Sequence, residues 1–196
     1  ADHATASVTL NDGLDELNDV VTIDAASSGI WGNAITVKVL PGSYKATEYS
    51  YYGVPGNGNA GPYYTDYANI LESTANWVKV NGIEKEIIYV PGPTSDQVYV
   101  DKTNGSLTFG EAIPPTSLIM YSLKYPTVKI VVSDNETRYT YDNISSLVKL
   151  VARLNSIGFV KATIVPGETH LPKIDADVTH ILTGGLDGLA ITTDDW

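Results

Sequence analysis

Histidine and aspartate side chains near the end of the sequence are the residues best suited to chemistry. His170 and His180 flank Asp175 and Asp177. Imidazole and carboxylate groups bind divalent metals and exchange protons, so Asp175, Asp177 and His180 would suit a metal-assisted hydrolase. However, no H-E-x-x-H or similar spacing occurs, and residues 169–174 (THLPKI) form an irregular segment. We therefore expect surface positions here, and we predict no catalytic, cofactor-binding or metal-binding residues.

A glycine-rich segment at residues 56–61 (GNGNAG) fits the G-x-G-x-x-G pattern of dinucleotide-binding proteins. That pattern binds a pyrophosphate only where a strand leads into the turn and a helix begins directly after it. Here Pro55 precedes the glycines and Pro62 follows them, within a stretch rich in glycine, proline and asparagine. Such residues favour a loop, so we expect no nucleotide or other cofactor.

Other nucleophile and ligand types are scarce. The chain has no cysteine, which excludes disulfides, thiolate nucleophiles and cysteine-based zinc sites. It also lacks a G-x-S-x-G segment, the turn that exposes the nucleophilic serine of α/β-hydrolases. Ser27-Ser28 and Ser145-Ser146 fit a turn and a helix start instead. The sequence therefore predicts a protein that is not an enzyme.

Composition and charge exclude further classes of function. The 196 residues carry a formal net charge of −11, and a negative surface repels phosphate backbones, so we expect no nucleic acid partner. No apolar run approaches the roughly 20 residues that span a bilayer, and no signal peptide is visible, so we expect no membrane insertion. The content of 43% hydrophobic and 18% charged residues indicates a folded globular chain.

The secondary structure has to position any catalytic or ligand-binding side chains. Short segments of alternating apolar and polar residues, bounded by turn residues, predict a β-rich chain. The strongest signal is Asn81-Gly82, which is typical of a two-residue hairpin. We expect antiparallel hairpins forming a meander or small barrel, with Pro41-Gly42 ending one strand. The predicted strands are Val20–Ala25, Ile35–Leu40, Tyr44–Tyr52, Trp77–Val80, Ile83–Val90, Gln97–Asp101, Ser106–Phe109, Leu118–Tyr125, Val128–Val132, Thr137–Tyr141 and Phe159–Val165.

One amphipathic helix is predicted at about 143–156. Asp142 or Asn143 is suited to cap its start, and Gly158 suits the left-handed residue just after its end. The fold class is therefore α+β, β-rich, with one main helix. Its apolar residues recur at helical spacing: Ile144, Leu147, Val148, Leu150, Val151 and Leu154.

The order of elements predicts two subdomains. Residues 1–42 together with 127–196 would form a discontinuous α+β subdomain, and residues 43–126 a β-rich insertion. Seven of the thirteen tyrosines fall early in this insertion, and tyrosine suits protein contacts and sugar stacking as well as ordinary packing. These tyrosines are Tyr44, Tyr49, Tyr51, Tyr52, Tyr63, Tyr64 and Tyr67.

Three short segments stand out in a fixed order. Residues 29–33 (GIWGN) lead into the strand that begins at Ile35. Residues 100–109 (VDKTNGSLTF) form a predicted hairpin and are followed by Ala112, Pro114-Pro115 and Tyr125. Residues 182–188 (LTGGLDG) precede the acidic and aromatic residues of 192–196 (TTDDW).

Together these segments resemble contractile tail sheath proteins, the family found in myophages, R-type bacteriocins and related injection machines. The resemblance implies a structural subunit that polymerises as a helical tube around a tail tube and then contracts, driving the tube through the host envelope. It implies no catalytic residues, and its partners would be other sheath subunits and, indirectly, the tail tube. It also implies a virion protein that is made in the host bacterial cytoplasm.

Sheath proteins are normally longer than this chain. The family continues into a C-terminal domain, and its terminal arms link subunits by strand exchange. The resemblance therefore implies an outer-domain fragment that lacks the arms and the C-terminal domain, and that is compatible with a monomer in isolation. The tyrosines lie outside the pattern and support an alternative, a β-rich receptor- or glycan-binding module of a phage or surface protein.

Overall fold

A computed structural model describes residues 3–14, 17–50 and 52–187. Within them the chain forms one α-helix, α1 (Leu147–Asn155), one 3-10 turn (Ile30–Ala34) and thirteen strands. The prediction of a β-rich α+β fold is confirmed. The strands are β1 (Ser7–Asn11), β2 (Asp19–Ala25), β3 (Thr36–Tyr49), β4 (Val54–Pro55), β5 (Tyr63–Tyr64), β6 (Trp77–Val80), β7 (Ile83–Ile88), β8 (Gln97–Asp101), β9 (Ser106–Phe109), β10 (Leu118–Ser133), β11 (Arg138–Ile144), β12 (Val160–Ile164) and β13 (Asp175–Ile181).

Contacts divide the described residues into two compact units. Unit 1 comprises residues 3–13, 17–43 and 128–187, and unit 2 comprises Leu14 and residues 44–127 apart from residue 51. Strands β3 and β10 contribute residues to both units.

Unit 1 contains two sheets and the helix. In the first sheet β2 lies between β1 and β12, and both pairs are antiparallel. The second sheet has the order β13-β3-β10-β11. Apolar side chains from both sheets and from α1 form one core, in which Ile23, Ile35, Ile130, Leu150 and Leu154 are fully buried. This core holds the loops of unit 1 in place.

The helix begins later than the sequence predicts. Residues up to Ile144 continue β11, because Ile144 pairs with Val128 and Asn143 adopts a left-handed conformation with φ 58°. The predicted caps, Asp142 and Asn143, are therefore wrong. Ser146 caps the helix instead, and its side chain accepts a hydrogen bond from the Lys149 N–H at 3.3 Å.

The end of the helix also differs from the prediction. The C-cap is Ser156, whose N–H donates to the carbonyl of Arg153. Gly158 is not left-handed, so its predicted role just after the helix is wrong. Ser156 has a right-handed helical conformation, and the chain continues from it directly into the turn before β12. The residues just after the helix therefore do not require a positive φ.

Unit 2 is a mixed sheet with the order β10-β6-β7-β8-β9-β5, and β4 also pairs with β10. The Asn81-Gly82 hairpin is confirmed, with positive φ at both residues and Val80 paired to Ile83. The sheet also contains a parallel pair, β7 and β8, beside the predicted antiparallel hairpins. Pro91 and Pro93 separate these strands, and neither proline has an N–H for a hairpin ladder.

Two predicted strand ends are absent. β3 continues through Pro41-Gly42 to Tyr49, and β10 continues through Pro126 to Ser133. Proline removes one donor but fixes a φ that extended backbone accepts, so it does not have to end a strand. Among the described residues, no helix has the length and apolar character needed to cross a membrane.

Candidate functional site

Two of the three segments that resemble sheath motifs meet in unit 1. Residues 29–33 form the start and body of the 3-10 turn, and residues 182–187 follow β13. The side-chain amide of Asn33 donates to the Gly185 carbonyl at 3.1 Å, and its oxygen accepts the Gly185 N–H at 2.9 Å. We call this arrangement the clamp (residues 29–33 and 182–187). The remainder of the third segment, Gly188 and residues 192–196, lies outside the described residues.

Two further contacts tighten the clamp. The Asp187 carboxylate accepts the N–H of Ile30 at 3.0 Å, at the start of the 3-10 turn. A Cβ atom added at Gly185 would lie only 2.3 Å from the Gly29 carbonyl oxygen. Gly29 itself has φ 134°, a conformation that other residues rarely adopt. The glycines, asparagine and aspartate of these motifs therefore serve close backbone packing.

The N-terminal segment completes the clamp. Ala4 pairs with Leu186, and Ser7 pairs with Thr183 through two backbone hydrogen bonds of 2.8 and 3.0 Å. Several apolar side chains beside these contacts remain exposed: Ile30 by 59%, Trp31 by 38% and Leu186 by 51%. The clamp thus presents an apolar surface with no titratable group arranged for proton transfer among its described residues.

The second motif segment forms the β8–β9 hairpin of unit 2. Asp101 Oδ1 accepts the N–H groups of Thr103 and Asn104 at 3.0 and 3.1 Å. Gly105 has φ 63°, and an added Cβ would lie 2.0 Å from the Tyr67 carbonyl oxygen. The ring of Tyr67 in turn stacks on Tyr125, with centroids 4.0 Å apart. These motif residues fix a turn and its packing.

The structure separates the histidines and aspartates singled out by the sequence. Asp175 and His180 lie on β13 and line a cavity of about 230 Å³ with Leu10 and Lys173. No hydrogen bond or ion pair joins Asp175 to His180 within the described residues. Asp177 is exposed and does not line that cavity. The three groups of the hydrolase hypothesis are therefore not assembled into one described site.

His170 belongs to a different cluster, which no local pattern in the sequence indicates. Its Nδ1 atom lies 3.7 Å from Oδ2 of Asp12, whose side chain is completely buried. Ligand atoms of Asp12, Glu168 and His170 all lie within 4.8 Å of one another. Asp12 follows β1 whereas the other two follow β12, so no local spacing in the sequence reveals the group.

Ser43 and Asp142 form a close hydrogen-bonded pair in unit 1. The Ser43 hydroxyl donates to Asp142 Oδ2 at 2.5 Å, and its N–H donates to Oδ1 at 3.0 Å. The Ser43 hydroxyl and N–H, the Asn143 N–H and the Lys129 ammonium together lower the pKa of Asp142 to about 2. A carboxylate with so low a pKa is a poor proton acceptor, so this pair is unsuited to activating a serine nucleophile.

Unit 2 buries one carboxyl group. Glu48 is only 6% exposed, and its Oε1 atom accepts the Tyr121 hydroxyl at 2.8 Å and the Asp66 N–H at 2.9 Å. Its Oε2 atom is buried without a hydrogen-bond partner. Burial raises the pKa of Glu48, and these hydrogen bonds only partly oppose the effect. Burial also raises the pKa values of Tyr121 and Tyr125.

The glycine-rich loop has no helix after it. Residues 56–61 run between β4 and β5, and the Tyr63 hydroxyl donates to the Asn59 carbonyl at 2.8 Å. A Cβ at Gly56 would lie 2.2 Å from the Pro114 carbonyl oxygen. The loop is therefore closed on itself and on neighbouring backbone, without the helix N-terminus that a pyrophosphate requires.

The tyrosine-rich segment divides into buried and exposed members. Tyr63 is 7% exposed and packs edge-on against Phe109, with ring centroids 5.8 Å apart. Tyr51 lies outside the described residues. Four tyrosines are between 64% and 89% exposed: Tyr44, Tyr49, Tyr52 and Tyr64.

A groove of about 510 Å³ also lies in unit 2. Trp77, Asn76 and Tyr89 line it together with Glu72, Glu84 and Glu86. The ammonium groups of Lys79 and Lys102 lie 4.9 and 5.5 Å from the Trp77 and Tyr89 ring centroids. Both rings thus already engage cations.

No family model, curated protein or solved structure matches this chain.

Proposed function

We propose that this chain is a structural, non-enzymatic module of a contractile tail sheath. It polymerises with copies of itself around a tail tube and contracts to drive the tube through a host envelope. It works in the virion, with other sheath subunits as direct partners and the tail tube as an indirect one. The observation that carries the proposal is the clamp, in which two sheath-like motifs far apart in the sequence bind each other.

The clamp supports a mechanical role because its residue types are explained by shape. Asn33 satisfies both polar groups of Gly185, and Gly185 leaves room for the Gly29 carbonyl. Neither residue would be required for a reaction. A sheath subunit has to move as a body while its contacts with neighbours re-form, and backbone interlocks of this kind resist deformation.

Unit 1 also offers surfaces for self-association. β13 ends the sheet order and pairs only with β3 among the described strands, so its other edge has no strand partner within this part of the chain. Its residues Val178 and Ile181 are 38% and 52% exposed. Contacts between two different surfaces of identical subunits generate helical polymers when they do not close into rings.

The proposal extends to the two subdomains of the chain. We propose that residues 1–42 with 127–196 act as the sheath subdomain and that residues 43–126 are an insertion whose strands close into a small barrel. The chain would be an outer part of a longer sheath protein that also has terminal arms and a C-terminal domain. In isolation it would remain monomeric.

Electron microscopy of the longest protein in which this chain occurs tests the proposal. We expect extended tubes or short contracted sleeves.

A matched pair of variants tests the β13 edge: Thr179→Pro removes a backbone donor from β13, whereas Thr179→Ala keeps it. Thr179 is exposed, and circular dichroism of both variants checks that the wild-type fold is kept. Only Thr179→Pro should abolish assembly. If this longest wild-type protein stays monomeric at all concentrations, the sheath proposal is wrong.

A second candidate is a receptor- or glycan-binding module. It is favoured by the four exposed tyrosines of unit 2 and by the groove that contains Trp77 and Tyr89. A glycan array, followed by calorimetry on any sugar that binds, tests this candidate. Tyr52→Ala should then weaken binding, whereas Val90→Ala, at another exposed apolar position of unit 2, should not. Absence of sugar binding would remove the glycan candidate.

A further inference from the structure

Three potential metal ligands converge in unit 1, between the loop after β1 and the segment after β12. Asp12, Glu168 and His170 each offer one ligand atom, and these atoms lie within 4.8 Å of one another. A tetrahedral ion with bonds of about 2.1 Å requires ligand atoms about 3.4 Å apart. The ligand atoms that lie farthest apart would therefore have to approach one another by up to about 1.4 Å to bind one ion.

The burial of these groups sets them apart from ordinary surface acids. The Asp12 side chain is completely buried, and the His170 side chain is 21% exposed. The Nε2 atom of His170 is buried and has no hydrogen-bond partner. A buried polar atom without a partner costs free energy, and a cation that binds His170 through Nε2 would remove that cost.

The surrounding hydrogen bonds already orient Asp12. Its Oδ1 atom accepts the Asn18 N–H at 3.3 Å, and its Oδ2 atom accepts the Asn18 side-chain amide at 3.2 Å. Such support from neighbouring groups is typical of carboxylates that bind metals. The Glu168 carboxylate makes no hydrogen bond or ion pair with any described residue, so it is available to rotate inward.

The contact between His170 and Asp12 is not a direct hydrogen bond. At 3.7 Å, His170 Nδ1 and Asp12 Oδ2 are too far apart for a hydrogen bond. Two carboxylates facing one imidazole form an anionic nitrogen–oxygen ligand set. Such a set suits divalent first-row transition metals such as zinc, whereas calcium and magnesium prefer oxygen ligands and higher coordination numbers.

We propose that Asp12, Glu168 and His170 bind one divalent transition-metal ion that joins the two loops of unit 1. Three protein ligands leave a fourth position for water. The ion would tie the chain after β1 to the chain after β12, so it would stabilise the folded state by mass action. This inference concerns a metal site and stands independently of assembly into a sheath.

Calorimetry and thermal unfolding of the untagged chain, stripped with EDTA and dialysed, test the proposal. Zn²⁺ should bind with a stoichiometry of one and raise Tm by about 5 °C when present well above its Kd. Mg²⁺ and Ca²⁺ at the same concentration should leave Tm unchanged. Co²⁺ should show the visible absorption of a low-symmetry nitrogen–oxygen site.

Matched variants locate the site. His170→Ala and Glu168→Gln should each weaken Zn²⁺ binding at least tenfold. His180→Ala and Asp177→Asn remove the same residue types outside the cluster and should retain wild-type affinity. Circular dichroism checks that each metal-free variant is folded. Equal Zn²⁺ binding by His170→Ala and His180→Ala, or no binding by the wild-type chain, would overturn the metal site and leave a histidine–aspartate ion pair.

Discussion

Asn33 and Gly185 bind each other through two hydrogen bonds although 152 positions separate them in the sequence. The Asn33 side chain supplies both a donor and an acceptor, and it satisfies the N–H and the carbonyl of Gly185. Gly185 is buried, so water cannot readily replace either bond. This contact joins the 3-10 turn before β3 to the residues that follow β13.

Removing the Asn33 side-chain amide should destabilise unit 1. Asn33→Ala leaves a buried N–H and a buried carbonyl without partners, which costs about 1–3 kcal/mol. Urea unfolding followed by circular dichroism measures the change in the free energy of unfolding. Asn135→Ala is the control, because Asn135 lies exposed in a turn, and it should change stability by less than about 0.5 kcal/mol. Equal effects of the two variants would contradict the role of the clamp.

A methyl group at Gly185 should open the clamp. The added Cβ would lie 2.3 Å from the Gly29 carbonyl oxygen, so backbone must move. Forced overpacking costs about 1–3 kcal/mol, beyond any loss of the Asn33 bonds. Gly158→Ala is the matched control, because an added Cβ there meets nothing within 4 Å. Thermal unfolding of both variants provides the comparison, and a wild-type Tm for Gly185→Ala would show that the clamp is not tight.

Stability should depend on pH through Glu48. Because burial raises the pKa of Glu48 in the folded state above the ordinary value of 4.5, the folded chain holds this proton more tightly than the unfolded chain. The resulting stabilisation is complete below pH 4.5 and is lost as pH rises through the folded pKa. Glu48→Gln carries no titrating carboxyl and should lack this loss.

Urea unfolding between pH 4 and pH 8 measures the Glu48 effect. The wild-type chain should lose stability relative to Glu48→Gln as pH rises across this range. Tyr121→Phe removes a hydrogen bond that lowers the Glu48 pKa. The Tyr121→Phe variant should therefore lose stability at a higher pH than the wild-type chain does. Parallel profiles for the wild-type chain and Glu48→Gln would rule out a raised pKa.

The Ser43–Asp142 pair gives the opposite dependence on pH. The pKa of Asp142 is about 2 when folded, below the ordinary value of 3.8, so its stabilising contribution is present above pH 3.8 and is lost as pH falls through about 2. A carbon-detected NMR titration measures this pKa directly. Ser43→Ala removes the 2.5 Å hydrogen bond and should raise the pKa of Asp142, and an unchanged value would show that Ser43 does not set it.

Local signals in the sequence predicted the hairpins well. Asn81-Gly82 specifies its own turn because both residues tolerate positive φ, and β8 and β9 have the bounds that their turn residues indicate. The same reasoning failed at Pro41-Gly42 and Pro126, where long strands continue. Pairing with neighbouring strands outweighs the local preference for a break at these positions.

The contacts that define the sites depend on residues distant in the sequence. Nothing near Asp12 in the sequence indicates that Glu168 and His170 fold against it. Likewise, nothing near Glu48 in the sequence indicates that Tyr121 and Asp66 donate hydrogen bonds to its buried carboxyl group. The predicted start of the helix is wrong for a related reason, because pairing of Ile144 with Val128 extends β11 into the predicted first helical turn.

The bridges between Ser7 and Thr183 and between Ala4 and Leu186 have a consequence for biosynthesis. After β1, a ribosome must translate almost all the rest of the described chain before the partners of the N-terminal segment at residues 183–186 emerge. Residues 44–127 of unit 2 are by then complete, so the inserted segment has time to fold before unit 1 closes. Nascent chains arrested shortly before residue 183 should therefore leave the apolar face of β1 and β2 accessible to chaperones.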